Sequence, residues 1–499
     1  MIINNMECSS VDFAAADYKN ADAVVMLLCK ECAAAIGKLP LPDSIEAATK
    51  AYTAKYSDIY SVGNISNLTV MSGDKLQQVL IVGCGEGKNC TPNNFRKAAG
   101  SAARVMHKLE CENAVIWAPI LSNPKRAHYL KALAEGLYLG AYQFNEYKST
   151  PQEVKVCRAV IANKVDNADT ALKSAAIMSC GVSYTRDLVN RPGNDVTPQV
   201  MAEEAAKIAE DLQLEIEVLD EKQLASKGMN AILAVGQGSV HKPRMITLKY
   251  RGAGDVPFTA YVGKGITFDS GGISLKPGDN MGEMKDDMAG AGAVLGAIRT
   301  ISRLQLPCNI MAVLACAENM PGGNAQRPGD IVRASSGKTI EVVNTDAEGR
   351  MVLADAVWYA CRQGAERVID IATLTGAVII ALGNETAGIV ANDDELAANL
   401  KEAGKLTGES LWQLPSLPDC KEALKSDVAD LLNSTGRAGG CITGGLFVGE
   451  FVDEGTPWAH IDIGGVSTAA KTDGFKIKGG SGFGVRTLVN YAEKFAAGK

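Results

Sequence analysis

One stretch of the sequence, Phe258-Thr-Ala-Tyr-Val-Gly-Lys-Gly-Ile-Thr-Phe-Asp269, passes from an apolar run into glycines and charged residues. Residues 258–262 form a short, mostly apolar run, which predicts a buried strand. Lys264 and Asp269 come directly after it. Because polar groups that follow parallel strands gather in the crevice beyond the carboxyl ends, this stretch predicts a functional site at the edge of an α/β sheet.

The same alternation of strands and helices runs through the whole chain. In the first part, strands are predicted at residues 23–29, 78–82 and 114–116, with a helix over residues 94–109. Later strands are predicted at residues 215–219, 245–250, 258–262, 309–315, 341–343 and 368–371, with helices such as 288–303 between them. This order predicts a mostly parallel sheet with helices on both faces, and three of its strand ends (262, 343 and 371) are expected at one site.

Two domains are expected, because 499 residues exceed what one hydrophobic core usually holds. A helical pattern over residues 168–190 ends at the breaker Asn190-Arg-Pro-Gly-Asn194. The expected organisation is α/β throughout: a smaller N-terminal α/β domain over residues 1–165, a connecting helix over 166–190, and a larger C-terminal catalytic domain over 191–499.

Charge and cysteine usage restrict the class of protein. The net charge of −7 argues against a general nucleic-acid surface, which needs clustered Lys and Arg. The first residues lack a signal peptide's cationic start and apolar run, and no stretch is long enough for a membrane helix, so a cytoplasmic location is expected. The thirteen cysteines are expected to be reduced, and Cys29-x-x-Cys32 is interpreted as a helix face rather than as a redox or zinc site.

Downstream, Asn344-Thr-Asp-Ala-Glu-Gly-Arg350 places two carboxylates and a guanidinium at the start of a predicted helix. Taken singly, Asp346 and Glu348 would also suit a helix N-terminus. Together with Asp269 and Asp287, however, they supply four hard oxygen ligands of the kind that Mg, Mn and Zn accept. These four side chains can therefore hold two metal ions.

These segments and their spacing resemble the leucyl aminopeptidase family of dinuclear-metal cytosol aminopeptidases, whose signature has the form Asn-Thr-Asp-Ala-Glu-Gly-Arg. The likeness extends through the motifs that begin at Glu318, Arg327, Asp370 and Trp458, and it covers roughly residues 180–495. Two features depart from the family's usual pattern: the acid at Asp286 and the loop Pro321-Gly-Gly323.

The resemblance implies a ligand set for both metals. One metal is held by Lys264, Asp269, Asp287 and Glu348, and the other by Asp269, Asp346 and Glu348, with the backbone carbonyl of Asp346. Manganese or zinc is expected, with magnesium and cobalt as alternatives. Because an ammonium has no lone pair, Lys264 can ligate only when it is neutral, so a neighbouring dication and burial must lower its pKa.

The resemblance also implies the remaining roles. Lys276 is expected beside the substrate carbonyl as a protonated cation, and Arg350 is expected to hold a bicarbonate that acts as general base toward a water shared by the two metals. The implied activity is the release of N-terminal Leu, Met and similar residues from peptides, in intracellular peptide turnover. The implied substrate-binding residues are Met284, Thr373, Leu374, Gly376 and Gly464.

Several other chemistries are disfavoured by the sequence. The four histidines do not pair as an H-E-x-x-H protease needs, His460 is interpreted as structural, and Ser270-Gly-Gly lacks the G-x-S-x-G elbow. Gly83-Cys-Gly-Glu-Gly-Lys-Asn89 lacks the spacing of a phosphate loop. Two rival hypotheses stay open: a two-metal phosphoesterase, and a DNA-binding protein that the acidic balance disfavours.

The expected partners follow from the same resemblance. The family implies a homohexamer with the catalytic domains inward, acting on peptide substrates and making no contact with a membrane.

Overall fold

The computed structural model describes residues 1–86, 90–118, 126–151, 153–163 and 165–495, apart from the side chains of Phe13, Cys32, Ala34, Ala35 and Lys38. The chain divides into two compact units. The N-terminal unit comprises Met1–Ser183 with a C-terminal arm, Ala469–Lys478, and the C-terminal unit comprises Tyr184–Thr468 with the segment from Gly479 onward. The division falls inside the helix predicted over residues 168–190.

The N-terminal unit is built on a seven-stranded sheet in the order β1-β2-β7-β6-β3-β5-β4, whose four central pairings are parallel. The strands predicted at residues 23–29, 78–82 and 114–116 are confirmed as β3, β5 and β6. The strands are β1 (Ile2–Ile3), β2 (Met6–Val11), β3 (Ala23–Cys29), β4 (Ile65–Ser72), β5 (Lys75–Gly85), β6 (Asn113–Trp117) and β7 (Cys157–Ala162). The helices are α1 (Asp43–Lys55), α2 (Pro92–Lys108), α3 (Arg126–Gly140) and α4 (Ala168–Asn190), with 3-10 turns at Phe13–Ala15, Lys30–Lys38 and Ser57–Tyr60.

The C-terminal arm packs on α2. A Cβ built on Gly100 would lie 2.5 Å from the backbone nitrogen of Phe475, so only glycine permits this approach. Phe475 is itself buried, and Lys97 Nζ lies 2.7 Å from Asp473 Oδ2. The arm therefore completes the packing of the N-terminal unit.

One expectation about the cysteines was wrong. Eleven cysteines are free thiols, but Cys29, at the end of β3, is disulfide-bonded. The expected cytoplasmic location and the distribution of cysteines along the sequence carry no information on the backbone geometry that brings two sulfurs together. They therefore could not reveal this bond. The Cys32 side chain and residues 87–89 of the rejected phosphate loop lie outside the described residues.

The C-terminal unit holds an eight-stranded sheet in the order β16-β15-β18-β14-β10-β11-β9-β8 and a small sheet, β12-β13-β17. Its strands are β8 (Glu215–Leu219), β9 (Arg244–Arg251), β10 (Phe258–Asp269), β11 (Asn309–Asn319), β12 (Ile331–Arg333), β13 (Thr339–Glu341), β14 (Ala365–Ala372), β15 (Thr386–Ala391), β16 (Ser410–Gln413), β17 (Leu431–Leu432) and β18 (Trp458–Asp462), with the short β19 (Thr468–Ala469) and β20 (Gly479–Gly480) flanking the arm. Its helices are α5 (Pro198–Leu212), α6 (Glu221–Ser226), α7 (Asn230–Gly236), α8 (Ala289–Leu304), α9 (Glu348–Arg362), α10 (Ala377–Leu382), α11 (Asp394–Thr407), α12 (Pro418–Glu422), α13 (Gly440–Gly449) and α14 (Val485–Phe495), with a 3-10 helix at Met281–Met288.

The centre of the large sheet is parallel, as predicted: β18, β14, β10 and β11 run in one direction. Side chains of β10 alternate between two helical layers. Ala260 and Val262 pack in the core with residues of α9 and α13, whereas the Tyr261 hydroxyl donates to the backbone oxygen of Leu488 in α14. Both faces of the sheet are thus covered by helices, and the fold is α/β.

Two details of the predicted sheet were wrong. β10 does not stop at Val262 but continues to Asp269, because its glycines still pair with β11, so Lys264 and Asp269 lie within the strand. The strand predicted at residues 341–343 is β13, which ends at Glu341 and belongs to the small sheet. Only the strand end before Thr373 lies within one residue of its predicted position, residue 371, since β14 ends at Ala372.

Among the described residues, no helix combines the length and the apolar character needed to cross a membrane.

The close approach of α8 to the sheet gives a test of the packing. A Cβ on Gly290 would lie 2.2 Å from the Ile371 carbonyl oxygen, whereas a Cβ on Gly292 in the same helix meets only ordinary contacts at 3.5 Å or more. We expect Gly290→Ala to lower the free energy of unfolding by about 3 kcal/mol. Gly292→Ala should leave it unchanged or raise it by up to about 1 kcal/mol through helix propensity. Urea unfolding of both variants measures this, and equal stability would contradict the packing of α8.

Candidate metal-binding active site

Five predicted metal ligands meet at the carboxyl end of β10. This strand carries Lys264 and Asp269, the 3-10 helix at Met281–Met288 supplies Asp287, and Asp346 and Glu348 stand at the start of α9. All are buried except Asp346, which is half-buried. The structure therefore brings together side chains that lie up to 84 residues apart in the sequence.

Lys264 lies at the centre of one half of this cluster. Its Nζ is 2.8 Å from Asp287 Oδ1 and 2.9 Å from Glu348 Oε1, and it donates to the backbone oxygen of Thr373 at 2.9 Å. A Cβ on Gly349 would lie 2.4 Å from Lys264 Cε. The missing side chain at Gly349 is what lets the lysine reach its partners.

Lys276 lies on the other half and is partly exposed. Its Nζ is 2.8 Å from Asp269 Oδ2 and forms an ion pair with Asp346 Oδ1. Asp269 is oriented from behind by Asn319, whose side-chain amide donates to Asp269 Oδ1 at 2.8 Å and to the backbone oxygen of Thr345 at 3.1 Å. A cation thus stands beside the carboxylates on the solvent side.

The oxygens of the cluster suit divalent cations. Ligand atoms of Asp269, Asp346 and Glu348 all lie within 4.8 Å of one another. Within the described part of the chain, Asp287 Oδ2 and Glu348 Oε2 are buried without any hydrogen-bond partner. Buried carboxylate oxygens are normally satisfied, so these acceptors, facing their neighbours' negative charge, fit a metal centre.

The charges in the cluster shift one another's protonation. Burial, with the neighbouring carboxylates, raises the pKa of Asp287 well above its usual range and raises the pKa of Glu348 and Asp346. Burial alone would lower the pKa of Lys264, but Asp287 and Glu348 raise it above its ordinary value. The carboxylates therefore act on Lys264 in the direction opposite to that expected of a dication.

Arg350 follows two residues after Glu348 on α9 and is buried. Its Nη1 donates to the backbone oxygen of Asn433 at 2.9 Å, while its Nε is buried without a partner among the described residues. A Cβ on Gly444 would lie 3.1 Å from Arg350 Nη2, so glycine leaves room on that side. Burial lowers the pKa of Arg350 to about 10. The guanidinium keeps donor capacity for an anion.

The predicted substrate-binding residues lie on three segments near the cluster. Residues 373–376, here called the β14 loop, follow β14 directly, and the Thr373 hydroxyl donates to Asp287 Oδ1 at 2.8 Å. Met284 shares the 3-10 helix of Asp287, and Gly464 follows β18. Leu374 and Gly464 are both hydrogen-bonded to Asp462, and Gly376 is exposed.

Sequence reasoning gave no role to Asn319, Asn433 or Asp462, although all three contact predicted site residues. Asn319 and Asp462 end the strands β11 and β18. The signal that could have found them is the rule already applied to Lys264: polar residues at the carboxyl ends of parallel strands face the site.

Two further expectations can be placed in the structure. His460 is fully buried, with Nδ1 2.5 Å from Asp370 Oδ1, in line with the structural role expected for it. Asp286, the acid that departs from the family pattern, accepts a hydrogen bond from the Ser467 hydroxyl at 3.1 Å. Burial raises the pKa of Asp286 to about 6.

The contact between Gly349 and Lys264 gives a test of the metal centre. We expect Gly349→Ala to displace the lysine and to lower the affinity for Mn²⁺ about 10- to 100-fold, as for other changes that misplace a ligand. Gly282→Ala is the matched control, because a Cβ there meets nothing within 4 Å. Calorimetric titration of the metal-stripped proteins measures both. Wild-type affinity in Gly349→Ala would show that Lys264 takes no part in binding.

Comparison with known proteins identifies the family of this chain. The model of the cytosol aminopeptidase family, catalytic domain, matches residues 183–489, and that of the N-terminal domain matches residues 53–151. A probable cytosol aminopeptidase of Streptomyces coelicolor is 39% identical, with 99% of this chain and 100% of the relative covered. Another, of Alkaliphilus metalliredigens, is 44% identical, with 84% and 85% covered.

A solved structure, the bottromycin maturation enzyme BotP in complex with Mn, superposes with a TM-score of 0.85 at 33% identity, covering 95% of this chain and 100% of that one. Both halves of the chain, the fold and the carboxylate cluster lead to one assignment. The chain belongs to the cytosol aminopeptidase family of metallo-exopeptidases.

Proposed function

We propose that the protein is a leucyl aminopeptidase that uses two divalent metal ions to release N-terminal residues, with Leu, Met and similar side chains preferred, from peptides in intracellular turnover. The observation that carries this proposal is the buried cluster in which Asp269, Asp346 and Glu348 present ligand atoms within 4.8 Å of one another. Lys276, on the solvent side of that cluster, adds a cationic group that can stabilise negative charge on the substrate.

The ligand sets are those implied by the family resemblance. Lys264, Asp269, Asp287 and Glu348 would hold one ion, and Asp269, Asp346 and Glu348 the other. When bound, two such ions supply Lewis acidity and lower the pKa of a water toward neutrality. Mn or Zn is the proposed occupant, with Mg or Co as alternatives. The Mn complex of the structural relative supports manganese.

Lys276 is suited to stabilise charge on the substrate. The negative charges of Asp269 and Glu348 outweigh burial and raise its pKa above the ordinary value, so it stays protonated. Its side chain is about one-fifth exposed and reaches the solvent side of the cluster. We assign it the role of donor to the substrate carbonyl oxygen, where negative charge develops during attack.

Arg350 is suited to hold a bicarbonate. Its unpartnered Nε and the space left by Gly444 give a small anion access to the guanidinium. Bicarbonate held there would supply a general base, a part that no histidine takes in this proposal. His460 is engaged with Asp370, and it is fully buried.

The assay that tests the function is hydrolysis of leucine p-nitroanilide by metal-stripped protein after Mn, Zn, Co or Mg is returned. We expect metal to restore activity. Lys276→Met, which keeps the length of the side chain but removes its charge, should lower kcat about 10²- to 10³-fold. Asp346→Asn should weaken metal binding as well as activity.

Lys338→Met is the matched control, because Lys338 forms an ion pair with Glu450 and has no role in the proposed chemistry. N-acetyl-leucine p-nitroanilide should be inert, since an exopeptidase needs the free amine. Turnover of p-nitrophenyl phosphate in place of the amide would support the phosphoesterase instead. Metal-loaded wild type that is inactive on every unblocked residue would leave DNA binding as the hypothesis to test.

We further propose a homohexamer in the cytoplasm. The relatives' name, cytosol aminopeptidase, supports the location. Exposed apolar side chains on the C-terminal unit, such as Ile380 and Trp412, support self-association. We expect light scattering after gel filtration to give six times the 52.4 kDa of one chain. The mass of a single chain would exclude the hexamer.

A further inference from the structure

Asp462 is a buried carboxylate to which the proposed mechanism gives no role. It is only 1% exposed, and no lysine or arginine in the described part of the chain forms an ion pair with it. Burying a carboxylate is costly unless donors surround it. The partners that offset this cost therefore indicate what the residue does.

Those partners lie in the β14 loop and just after β18. Asp462 Oδ1 accepts from the backbone nitrogens of Leu374 at 3.1 Å, Thr375 at 3.4 Å and Gly464 at 3.1 Å. Its Oδ2 accepts from the Thr375 hydroxyl at 2.7 Å. One side chain thus binds three backbone N–H groups and a hydroxyl.

The register of the sheet explains this arrangement. Ala372, the last residue of β14, pairs with Asp462, the last residue of β18. Beyond this point the N–H groups of Leu374 and Thr375 no longer have a strand partner, so the carboxylate takes the place of the missing ladder. The Thr375 hydroxyl oxygen in turn accepts from Val378 N at 3.2 Å, at the start of α10.

The opposite side of the β14 loop is held by the metal cluster. Lys264 donates to the Thr373 oxygen, and the Thr373 hydroxyl donates to Asp287. The loop is therefore held between Asp462 and two of the proposed metal ligands. Gly464 also lies against the β14 loop, since a Cβ there would be 2.6 Å from the backbone oxygen of Thr375.

We propose that Asp462 is a positioning residue: it fixes Leu374, Thr375 and Gly464 so that the β14 loop lines the substrate cleft at a set distance from the metal cluster. This inference rests on the proposed function.

The test uses Asp462→Asn and the pair Thr375→Val and Thr375→Ser in the full chain. Asp462→Asn should lower kcat/KM for leucine p-nitroanilide about 10²-fold, the size of loss that misplacing a site by about 1 Å can cause. Thr375→Val, which keeps the shape but removes the hydroxyl, should lower it less, and Thr375→Ser should restore it. The hydrogen bond from Lys264 to the backbone oxygen of Thr373 is untouched in all three variants, so their affinity for Mn²⁺ should change less than threefold.

A second readout does not depend on catalysis. Hydrogen–deuterium exchange, measured without added metal, should show faster exchange of Leu374, Thr375 and Gly464 in Asp462→Asn and Thr375→Val, with Thr375→Ser close to wild type. Asp355→Asn is the matched control. Asp355 is also fully buried and accepts from the backbone nitrogens of Ile232 and Ser335 and from the Ser335 hydroxyl, at 2.8–3.0 Å.

The outcomes separate the two proposals. If wild type shows no metal-dependent aminopeptidase activity, the proposed function fails, while the exchange data still report on the loop. If wild type is active but the Asp462 and Thr375 variants keep its kcat/KM and its loop exchange, the positioning role is overturned. Loss of stability alone, as in Asp355→Asn, would reduce Asp462 to a structural residue.

Discussion

The structure of the C-terminal unit depends on one electrostatic constraint: four carboxylates and two lysines share a small volume at the end of β10. Taking such charges out of water is costly, and the cost is offset only where every charge meets an opposite one or a strong donor. Lys264 neutralises Asp287 and Glu348 from within, and Lys276 faces Asp269 and Asp346 from the solvent side. The carboxylate oxygens left without partners give the cluster an excess of acceptors, which suits it to cations.

Glycine at the points of closest approach makes this cluster sterically feasible. Gly349 makes room for the stem of Lys264, and Gly290 lets α8 come within contact of the Ile371 backbone. Gly444 leaves room for the guanidinium of Arg350. An interior packed at crystal-like density has no spare space for a methyl group at these positions. These three glycines are thus part of the site's geometry, although they carry no chemistry.

The sequence predicted the α/β class, most strands and the residues that meet in the cluster, because these depend on local periodicity and on short motifs. It failed where tertiary contacts decide the outcome. Gly263 and Gly265 looked like the end of a strand, yet β10 continues because a neighbouring strand pairs with it. Asn433 contacts Arg350 across 83 residues, and no local pattern reports such a pairing. The disulfide at Cys29 was missed for a similar reason.

The C-terminal arm has a consequence for how this chain is made. Phe475 covers Gly100 on α2, and Asp473 pairs with Lys97, so the N-terminal unit contains residues that a ribosome adds after every strand of the large sheet. Domains usually fold in the order of synthesis. Here the surface of α2 that Phe475 covers cannot be covered until all the strands of the large sheet have been synthesised. Complete packing of the N-terminal unit therefore requires that most of the C-terminal unit has already been synthesised.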